Sequence, residues 1–357
     1  MIHVGIDLHH RNSYVRAMDD HGNLFPGRRV YHDRIEELWQ YLKDLGDQPK
    51  RVVFEATANS RWMYRILKSD PTIEPVAVTP HKVRIIAETV AKTDQIDAGV
   101  LAMLSRLDTL PRAFLPDEEL EDLREMTRYR ACLVHLRSRA KNHVNGVLVR
   151  RGLVRPYQDI FGVMGRRWLE EISLPSVMRL QVDHWLSLID RFQEKITEAE
   201  EKLYKELARQ DRWSEDVALL TTMPGVGRLT ALTILAELGD YRRFRRRSAV
   251  SCFAGLVPTS KRSDKSSRYG KISKRGPKAL RSILVEVSLT SARKVPRYGA
   301  LYEGVKTRKG SNKGKAAVAR QMLEDCWTML RKREPFRYMP VVRGGQPVQA
   351  ESLARVG

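Results

Sequence analysis

The order of apolar and polar residues changes along the chain, and over residues 1 to about 110 it predicts alternating strands and helices. The runs "IHVGIDL" and "NSYVRAMD", with the turn sequence "DDHGN", predict a strand hairpin, and "RRVY" is a candidate third strand. Further strands are predicted at "RVVFEA" and "EPVAVTP". Apolar residues recur at helical spacing in "DRIEELWQYLKDL", "SRWMYRILKS" and "TDQIDAGVLAMLSRL". The first region is therefore predicted to be an α/β sheet that opens with a hairpin.

A continuous helical pattern covers residues 116–152. Its start is acidic and its end is basic, as the helix dipole favours. A second long helix, "VDHWLSLIDRFQEKITEAEEKLYKELARQ", is predicted to pack against it as the antiparallel partner in a coiled-coil arm. The segment between them, residues 153–181, contains Pro156 and Pro175 and is predicted to form the tip of this arm.

The last third of the chain is predicted to be helical around one polar loop. In "SEDVALLTTMPGVGRLTALTILAELGD" two apolar helices flank "PGVG", an arrangement that resembles a helix–hairpin–helix. A basic run, "YRRFRRRS", a short helix, the loop "TSKRSDKSSRYGKISKRG" and helices over residues 277–293 and 313–331 follow. We therefore predict an α/β plus all-α protein in four parts: residues 1–112, 113–213, 214–335 and an irregular tail, 336–357.

Four acidic residues stand in or beside segments that are predicted to be buried. Asp7 and Glu55 end two strands, and Asp94 and Asp97 share a face at the start of a helix. Singly, each fits a structural role, either a lone acid at a strand end or a helix N-cap, which Asp94 alone would satisfy. Together, four carboxylates repel one another unless cations neutralise them. Such oxygen ligands suit Mg²⁺ or Mn²⁺, and a two-metal site suits phosphoryl transfer. The spacing leaves both interpretations open.

The charge balance indicates a polyanionic partner. Lys and Arg number 64 against 43 Asp and Glu, so the net charge is +21, which attracts nucleic acid first and an anionic membrane surface second. No apolar run has the length needed to cross a bilayer, and the N-terminal residues lack the layout of a signal peptide. Cys132, Cys252 and Cys326 are far apart and lack zinc-like spacing, which fits a reduced, cytoplasmic protein without a membrane partner.

Three motifs in the first region, "GIDLHH", "FEAT" and "KTDQIDAGVLA", resemble in this order the signatures of the DEDD transposases of one bacterial insertion-sequence family, the one-ten family. The resemblance implies a RuvC-like first domain with a ribonuclease-H fold. It also implies that Asp7, Glu55, Asp94 and Asp97 form a catalytic tetrad that binds Mg²⁺ (or Mn²⁺).

The second half resembles the C-terminal transposase domain of the same family, through "LLTTMPGVGRLTALTILAELGD" and "SCFAGLVPTSKRSDKSSRYGKISKRGPKALRSIL". The resemblance implies a serine nucleophile in the loop after "FAGLVP". Ser263 fits best, and Ser260, Ser266 and Ser267 are the alternatives. This serine would form a covalent ester with DNA, of 5′ or 3′ polarity, at a composite site with the acids of the same or another subunit. Without the resemblance, a basic serine-rich loop is more typical of an ordinary solvated loop.

Nucleic-acid contacts are predicted at "PGVG", in the arginine run and in the serine loop. "PGVG" can present backbone N–H groups to a phosphate, with a plain helix–helix turn as an equal alternative. The resemblance implies a structured bridge RNA that pairs with donor and target DNA. Exchange of four strands needs several active sites, so a homodimer or homotetramer is expected. The predicted contact residues are Gly225, Gly227, Arg242, Arg243, Arg245, Arg246, Arg247, Lys265, Arg268, Lys274 and Arg275.

The sequence is thus interpreted as an RNA-guided DNA transposase with serine chemistry, against two alternatives. A metal-dependent junction-resolving nuclease would use the four acids and water, and it would need no serine. A non-catalytic nucleic-acid-binding protein would use only the basic surface and the hairpin. The enzyme is favoured because all four acidic positions and a serine in the expected place are present.

Overall fold

The computed structural model describes residues 1–57, 59–86, 93–207, 211–263, 266–337, 342–343 and 346–347. Within these ranges, only the backbone is described for residues 85–86, 206–207, 211, 260–263, 266–269, 342–343 and 346–347. The chain forms two compact units, Met1–Leu115 and Pro116–Gly357. The finer division into four parts stays a prediction.

The first unit is built around one mixed sheet. Its strands are β1 (Ile2–Leu8), β2 (Asn12–Met18), β3 (Arg28–Tyr31), β4 (Lys50–Glu55) and β5 (Ile73–Val78). Its helices are α1 (Glu36–Asp44), α2 (Ser60–Lys68), α3 (Pro80–Ile86) and α4 (Asp94–Arg106). The strand order is β3-β2-β1-β4-β5, in which β1, β2 and β3 are antiparallel neighbours and β4 and β5 run parallel to β1. The predicted α/β sheet that opens with a hairpin is confirmed, whereas α3 lacked a sequence prediction.

Strand β1 carries different residues on its two faces. Ile2, Val4, Ile6 and Leu8 lie in one hydrophobic core with residues of α1 and α2. The opposite face carries Gly5, and a Cβ there would overlap the carbonyl oxygen of Ala98 in α4. Helix α4 therefore packs directly on β1, on the face that also carries Asp7, because side chains alternate along a strand.

The second unit is mostly helical. Its helices are α5 (Glu118–Arg150), α6 (Val163–Glu171), α7 (Ser176–Lys202), α8 (Asp211–Thr221), α9 (Arg228–Leu238), α10 (Arg247–Phe253), α11 (Lys278–Lys294), α12 (Pro296–Lys309) and α13 (Ser311–Lys332). Its strands are β6 (Pro258–Ser263), β7 (Ser266–Ile272), β8 (Val342–Arg343) and β9 (Gln346–Pro347). Among the described residues of both units, no helix is both long enough and apolar enough to cross a membrane.

The two long helices α5 and α7 pack against each other in antiparallel fashion. Arg130 near the middle of α5 pairs with Glu200 near the end of α7 at 2.7 Å. Val144, near the end of α5, shares a core with Leu186 of α7. The segment between these helices contains α6, which the apolar pattern did not predict, and Leu169 of α6 is buried in that same core. The predicted tip is therefore a folded part of the helical pair.

The segment predicted as a polar loop is a two-stranded hairpin, β6 with β7. Both arms are rich in Ser, Lys and Arg, so they lack the apolar alternation by which half-buried strands are usually identified. Helix α12 is a second unpredicted element. It begins at Pro296, a residue that is favourable in the first helical turn because its missing N–H would have no helical partner.

A buried carboxylate joins three helices of the second unit. Asp325 of α13 accepts hydrogen bonds from Arg247 of α10 at 2.5 Å and from the Tyr298 hydroxyl of α12 at 2.7 Å. Arg297 also donates to it. A carboxylate that loses such partners would remain buried and unpaired, so this network holds α10, α12 and α13 in one arrangement.

Candidate functional site

Two of the predicted acids lie at the same edge of the sheet. Ile6 of β1 pairs with Phe54 of the parallel strand β4, and Asp7 and Glu55 are the residues that follow this pair. Carboxyl ends of neighbouring parallel strands meet at one sheet edge, where α/β proteins commonly bind ligands. The Asp7 side chain is 19% exposed, so it is reachable from solvent but largely covered.

Asp94 comes to Asp7 from helix α4. The N-cap of α4 is Thr93, whose hydroxyl accepts a hydrogen bond from the Ile96 amide at 3.2 Å. The interpretation of Asp94 as a cap is therefore wrong, and its carboxylate has other neighbours. One oxygen lies 2.7 Å from the Arg29 guanidinium and the other 3.5 Å from Nε2 of His9.

His9 completes a compact group that the sequence reasoning missed. Its Nε2 lies 3.2 Å from Oδ2 of Asp7, and the donor atoms of Asp7, His9 and Asp94 all lie within 4.8 Å of one another. Glu55 and Asp97, whose side chains are also described, do not belong to this group of three. A partial signal was present in "GIDLHH", because His9 follows Asp7 by two residues and comes directly after the end of β1.

The electrostatics of Asp7 depend on its crowded surroundings. Burial raises the pKa of the Asp7 carboxyl above its ordinary value, repulsion from Asp94 and Asp97 acts in the same direction, and His9 opposes the change. The carboxylate form is thus destabilised where a cation would stabilise it. Two carboxylates and an imidazole are a donor set that fits a divalent cation.

The serine-bearing segment forms the β6–β7 hairpin of the second unit. Ser263 is the last residue of β6 and pairs with Ser266 of β7. The side chains of Ser260, Ser263, Ser266, Ser267 and Arg268 lie outside the described part of the structure, as does all of Lys265. The choice among these serines stays a prediction.

The base of this hairpin is anchored. The Ser273 amide donates to the Val257 carbonyl at 2.8 Å, and the Lys274 amide donates to the Gly255 carbonyl at 3.1 Å. Lys274 itself has a φ of 54°, a left-handed conformation that is uncommon outside glycine. A Cβ at Gly255 would overlap backbone atoms of Arg275. The backbone of Lys274 and Arg275 therefore packs tightly against the turn that follows α10.

Both halves of the chain match models of known protein families. A family model of DEDD transposases, described as "Transposase", matches residues 4–151, and the model described as "Transposase IS116/IS110/IS902 family" matches residues 217–303. The chain belongs to this IS110/IS116/IS902 family of transposases. Since transposases catalyse DNA strand transfer, the prediction of an enzyme and of this family is confirmed.

Two relatives cover nearly the whole transposase. The chain is 27% identical to the transposase for insertion sequence element IS1111A of Coxiella burnetii, over 94% of this chain and 91% of that protein. It is also 27% identical to the transposase for insertion sequence element IS1328 of Yersinia enterocolitica, over 91% of this chain and 96% of that protein. A shorter similarity, 26% identity over 42% of this chain and 47% of the relative, is to the pilin gene-inverting protein of Moraxella bovis.

The arginine run of the transposase divides into residues with internal contacts and residues without them. Arg243 donates to the Leu238 carbonyl at 3.1 Å and lies over the rings of two phenylalanines, and Arg247 pairs with Asp325. Arg242 lies 5.6 Å from the Tyr241 ring centroid. Arg245 and Arg246 are exposed and have no ion-pair partner among the described residues. These last two are the best placed of the five for phosphate contacts.

The two glycines of "PGVG" have different surroundings. Gly225 has a φ of +93°, and a Cβ there would overlap the Ser291 hydroxyl of α11. Gly227 is the N-cap of α9, with open space where a Cβ would point. Gly225 is therefore needed for packing, whereas the exposed start of α9 at Gly227 is the part that a phosphate could approach.

A cationic cleft lies between the base of the β6–β7 hairpin and helices α12 and α13. Its volume is about 450 Å³. Apolar residues such as Leu256 and Ile272 line it, and Lys and Arg side chains from the hairpin and both helices surround it. The cations are Lys271, Arg308, Lys309, Lys313 and Arg320. This cleft extends the basic surface predicted around the serine segment.

Proposed function

We propose that this insertion-sequence transposase cuts and rejoins DNA through a covalent serine–DNA ester with the help of a divalent metal, and that a bridge RNA guides it. The observation that carries the metal part is the convergence of Asp7 and Asp94, from a strand end and a helix start, on one small volume. In a chain with a net charge of +21, such a gathering of acids needs a reason beyond surface solvation.

Asp7 and Asp94 would hold the ion, with Glu55 and Asp97 as the other two members of the tetrad. Mg²⁺ or Mn²⁺ fits, since carboxylate oxygens are their preferred protein ligands. A bound ion would supply positive charge that polarises the scissile phosphate. The pairing of β1 with the parallel strand β4, after an antiparallel opening, supports a RuvC-like domain of ribonuclease-H fold. The antiparallel α5–α7 pair supports the coiled-coil arm.

Ser263 would supply the nucleophile. Its hydroxyl oxygen bonds to the phosphorus, the bond from phosphorus to the neighbouring deoxyribose oxygen breaks, and the hydroxyl proton passes to a base while the leaving oxygen takes up a proton. Attack by a hydroxyl of another strand reverses the step and releases the serine. Because the ester conserves the bond energy, strands are exchanged without a nucleotide cofactor.

The basic surfaces would hold the nucleic acids. Arg245, Arg246 and the cationic cleft are suited to phosphate contacts, which position a strand without reading its bases. Sequence choice would then come from pairing between the bridge RNA and the donor and target DNA. This RNA role is taken from the family resemblance.

A homodimer or homotetramer is part of the same proposal. Large apolar side chains are exposed near the end of α5 and in the segment that leads to α7, including Val154 at 87% and Val163 at 82%. Apolar side chains grouped in this way are typical of protein interfaces. The variant Val154→Glu/Val163→Glu should be monomeric by light scattering. Deleting the segment would be a poor test, since Ile160 and Leu169 belong to the core.

The serine chemistry is tested by trapping the adduct. The transposase is expressed with its native flanking DNA on a plasmid, and DNA that stays bound to protein in detergent is measured. Ser263→Ala should abolish this adduct, whereas Ser260→Ala, Ser266→Ala and Ser267→Ala should retain it. Cleavage by Ser263→Ala without any adduct would favour the junction nuclease. Full activity of Asp7→Asn would favour the non-catalytic binding protein.

The guide is tested by sequencing the RNA that copurifies with the transposase in the same expression. One discrete RNA that maps to the flanking DNA is expected. Heterogeneous RNA, or none, would remove the guide from the proposed function and leave the serine and metal chemistry to be judged by the adduct.

A further inference from the structure

The imidazole of His9 faces both carboxylates of the candidate metal site with one nitrogen. Nε2 lies 3.2 Å from Asp7 and 3.5 Å from Asp94. A histidine that only neutralised an acid would need one of these contacts. An atom that lies between two metal-binding groups has the position of a third ligand to the same ion.

The backbone holds His9 in this position from two sides. Its amide donates to the Asn12 carbonyl at 3.1 Å, which closes the turn between β1 and β2. Its own carbonyl accepts from the Asn59 side chain, at the start of α2, at 2.8 Å. The ring therefore projects from a fixed turn, and a fixed ligand loses less freedom on binding an ion than a mobile one.

An imidazole ligand changes which ion a site prefers. Mg²⁺ favours an all-oxygen octahedron and keeps several waters, so it gains little from a nitrogen donor. Affinity for N and O sites rises from Mn²⁺ through Fe²⁺ to Co²⁺ and Ni²⁺, and imidazole suits these later metals. The site is partly open to solvent, with Asp94 34% and His9 49% exposed, so an ion has a path of entry.

We propose that His9 is a nitrogen ligand of this site, and that it shifts the metal preference of this transposase from Mg²⁺ toward Mn²⁺ and Co²⁺. The inference rests on the proposed function, in which Asp7 and Asp94 hold a divalent ion. It adds a ligand outside the four acids and a specific order of metal affinity.

The test is a metal titration of the full-length protein after treatment with a chelator. Mn²⁺ binding is followed by electron paramagnetic resonance, Co²⁺ binding by visible absorption, and Mg²⁺ binding by competition with Mn²⁺. The variants are His9→Ala and the matched control His10→Ala, the adjacent exposed histidine whose carbonyl, rather than its ring, contacts His32.

Wild type and His10→Ala should bind Co²⁺ more tightly than Mn²⁺, and Mn²⁺ more tightly than Mg²⁺. His9→Ala should lose about tenfold or more in Mn²⁺ and Co²⁺ affinity, the scale seen when the ligand environment of a metal is disturbed. Its Mg²⁺ affinity should stay close to that of wild type. Nitrogen-14 coupling in the electron spin-echo spectrum of bound Mn²⁺ should be present in wild type and absent in His9→Ala.

Three outcomes would overturn the inference. Tighter binding of all three ions by His9→Ala would make His9 a competing cation. Equal binding by wild type and His9→Ala, without nitrogen coupling, would show that His9 does not bind the ion, and the metal site of the proposed function would still stand. Absence of metal binding in every protein, with unfolding temperatures unchanged, would remove both the inference and the metal part of the proposed function.

Discussion

The Arg29 guanidinium donates a hydrogen bond to the carboxylate of Asp94 at 2.7 Å. Arg29 belongs to β3, at the edge of the sheet, and Asp94 begins α4, so the contact joins two elements that are distant along the chain. It places a fixed positive charge beside a carboxylate of the candidate metal centre. A bound metal ion would therefore share the Asp94 carboxylate with the guanidinium of Arg29.

We expect Arg29→Gln to bind divalent ions more tightly. Removing one positive charge near a half-exposed site is worth about 1 kcal/mol, or about fivefold in affinity. The gain should be similar for Mg²⁺, Mn²⁺ and Co²⁺, because it is a charge effect and involves no change of ligand type. Isothermal titration with each ion measures the gain, and Arg34→Gln is the control, because Arg34 is exposed and its charged neighbour is Glu37, outside the site. Unchanged affinity would show that the Arg29 side chain moves away from Asp94 when the ion binds, and that this movement costs no free energy.

Burial and the neighbouring carboxylates at Asp7 should make the stability of the metal-free protein depend on pH. Because the folded-state pKa of Asp7 is raised above the ordinary 3.8, the folded protein binds more protons than the unfolded chain between these two values. The free energy of unfolding should therefore fall as pH rises through this window, and the full penalty is present above the raised pKa. Asp7→Asn removes the penalty, so the metal-free variant should melt above wild type at pH 7, with the difference shrinking toward pH 4.

Adding metal should reverse that order. Ligand at a hundred times its dissociation constant stabilises a folded protein by about 2.7 kcal/mol, and Asp7→Asn should lose this gain. Differential scanning fluorimetry from pH 4 to 8, with chelator or with Mn²⁺, measures both effects. An Asp7→Asn protein that melts below wild type in chelator would mean that Asp7 has a stabilising structural role.

The contact between β1 and α4 should be intolerant of any added side chain at Gly5. A methyl group there would overlap the Ala98 carbonyl oxygen, so the helix would have to move away from the strand. We expect Gly5→Ala to lower the free energy of unfolding by about 3 kcal/mol, at the upper end of overpacking effects. Gly99 lies in α4, and a Cβ there would meet only the Arg16 side chain. Gly99→Ala should therefore leave the free energy of unfolding unchanged or raise it by up to about 1 kcal/mol. Urea unfolding compares them, and equal stability of the two variants would contradict the close packing.

The arginine run should separate into binding and structural positions. Arg245→Ala and Arg246→Ala should keep wild-type stability and each reduce the slope of log affinity for DNA against log salt by about 0.9. Arg247→Ala should instead lower the free energy of unfolding by about 1.5–3 kcal/mol, since it removes a charged hydrogen bond to buried Asp325. Fluorescence anisotropy over a salt series, with urea unfolding, distinguishes the two. A wild-type salt slope in both Arg245→Ala and Arg246→Ala would show that these two arginines do not contact DNA phosphates.

The sequence predicted most of the sheet and the long helices, because a buried strand and a core-facing helix leave regular apolar patterns. It predicted β1, β4 and α4 near their observed bounds for this reason. It did not predict β6 and β7, because a hairpin that is polar on both faces has no such pattern. It also missed His9 as a neighbour of the acids, since that contact depends on how a strand end and the start of α4 meet in space. Only the fold brings Arg29 to Asp94, 65 positions away.

The "PGVG" turn offers a final pair of variants that separates folding from binding. Gly225→Ala places a Cβ at a φ of +93° and against the Ser291 hydroxyl, so we expect a loss of about 2–3 kcal/mol in the free energy of unfolding. Gly227→Ala meets open space and should cost only a few tenths of a kcal/mol, up to about 1, as an N-cap change. If the start of α9 contacts a phosphate, the added methyl group should still weaken DNA binding several-fold. Wild-type anisotropy titrations for Gly227→Ala would instead make the turn a plain connection between α8 and α9, because a folded variant with a methyl group at the start of α9 would bind DNA as wild type does.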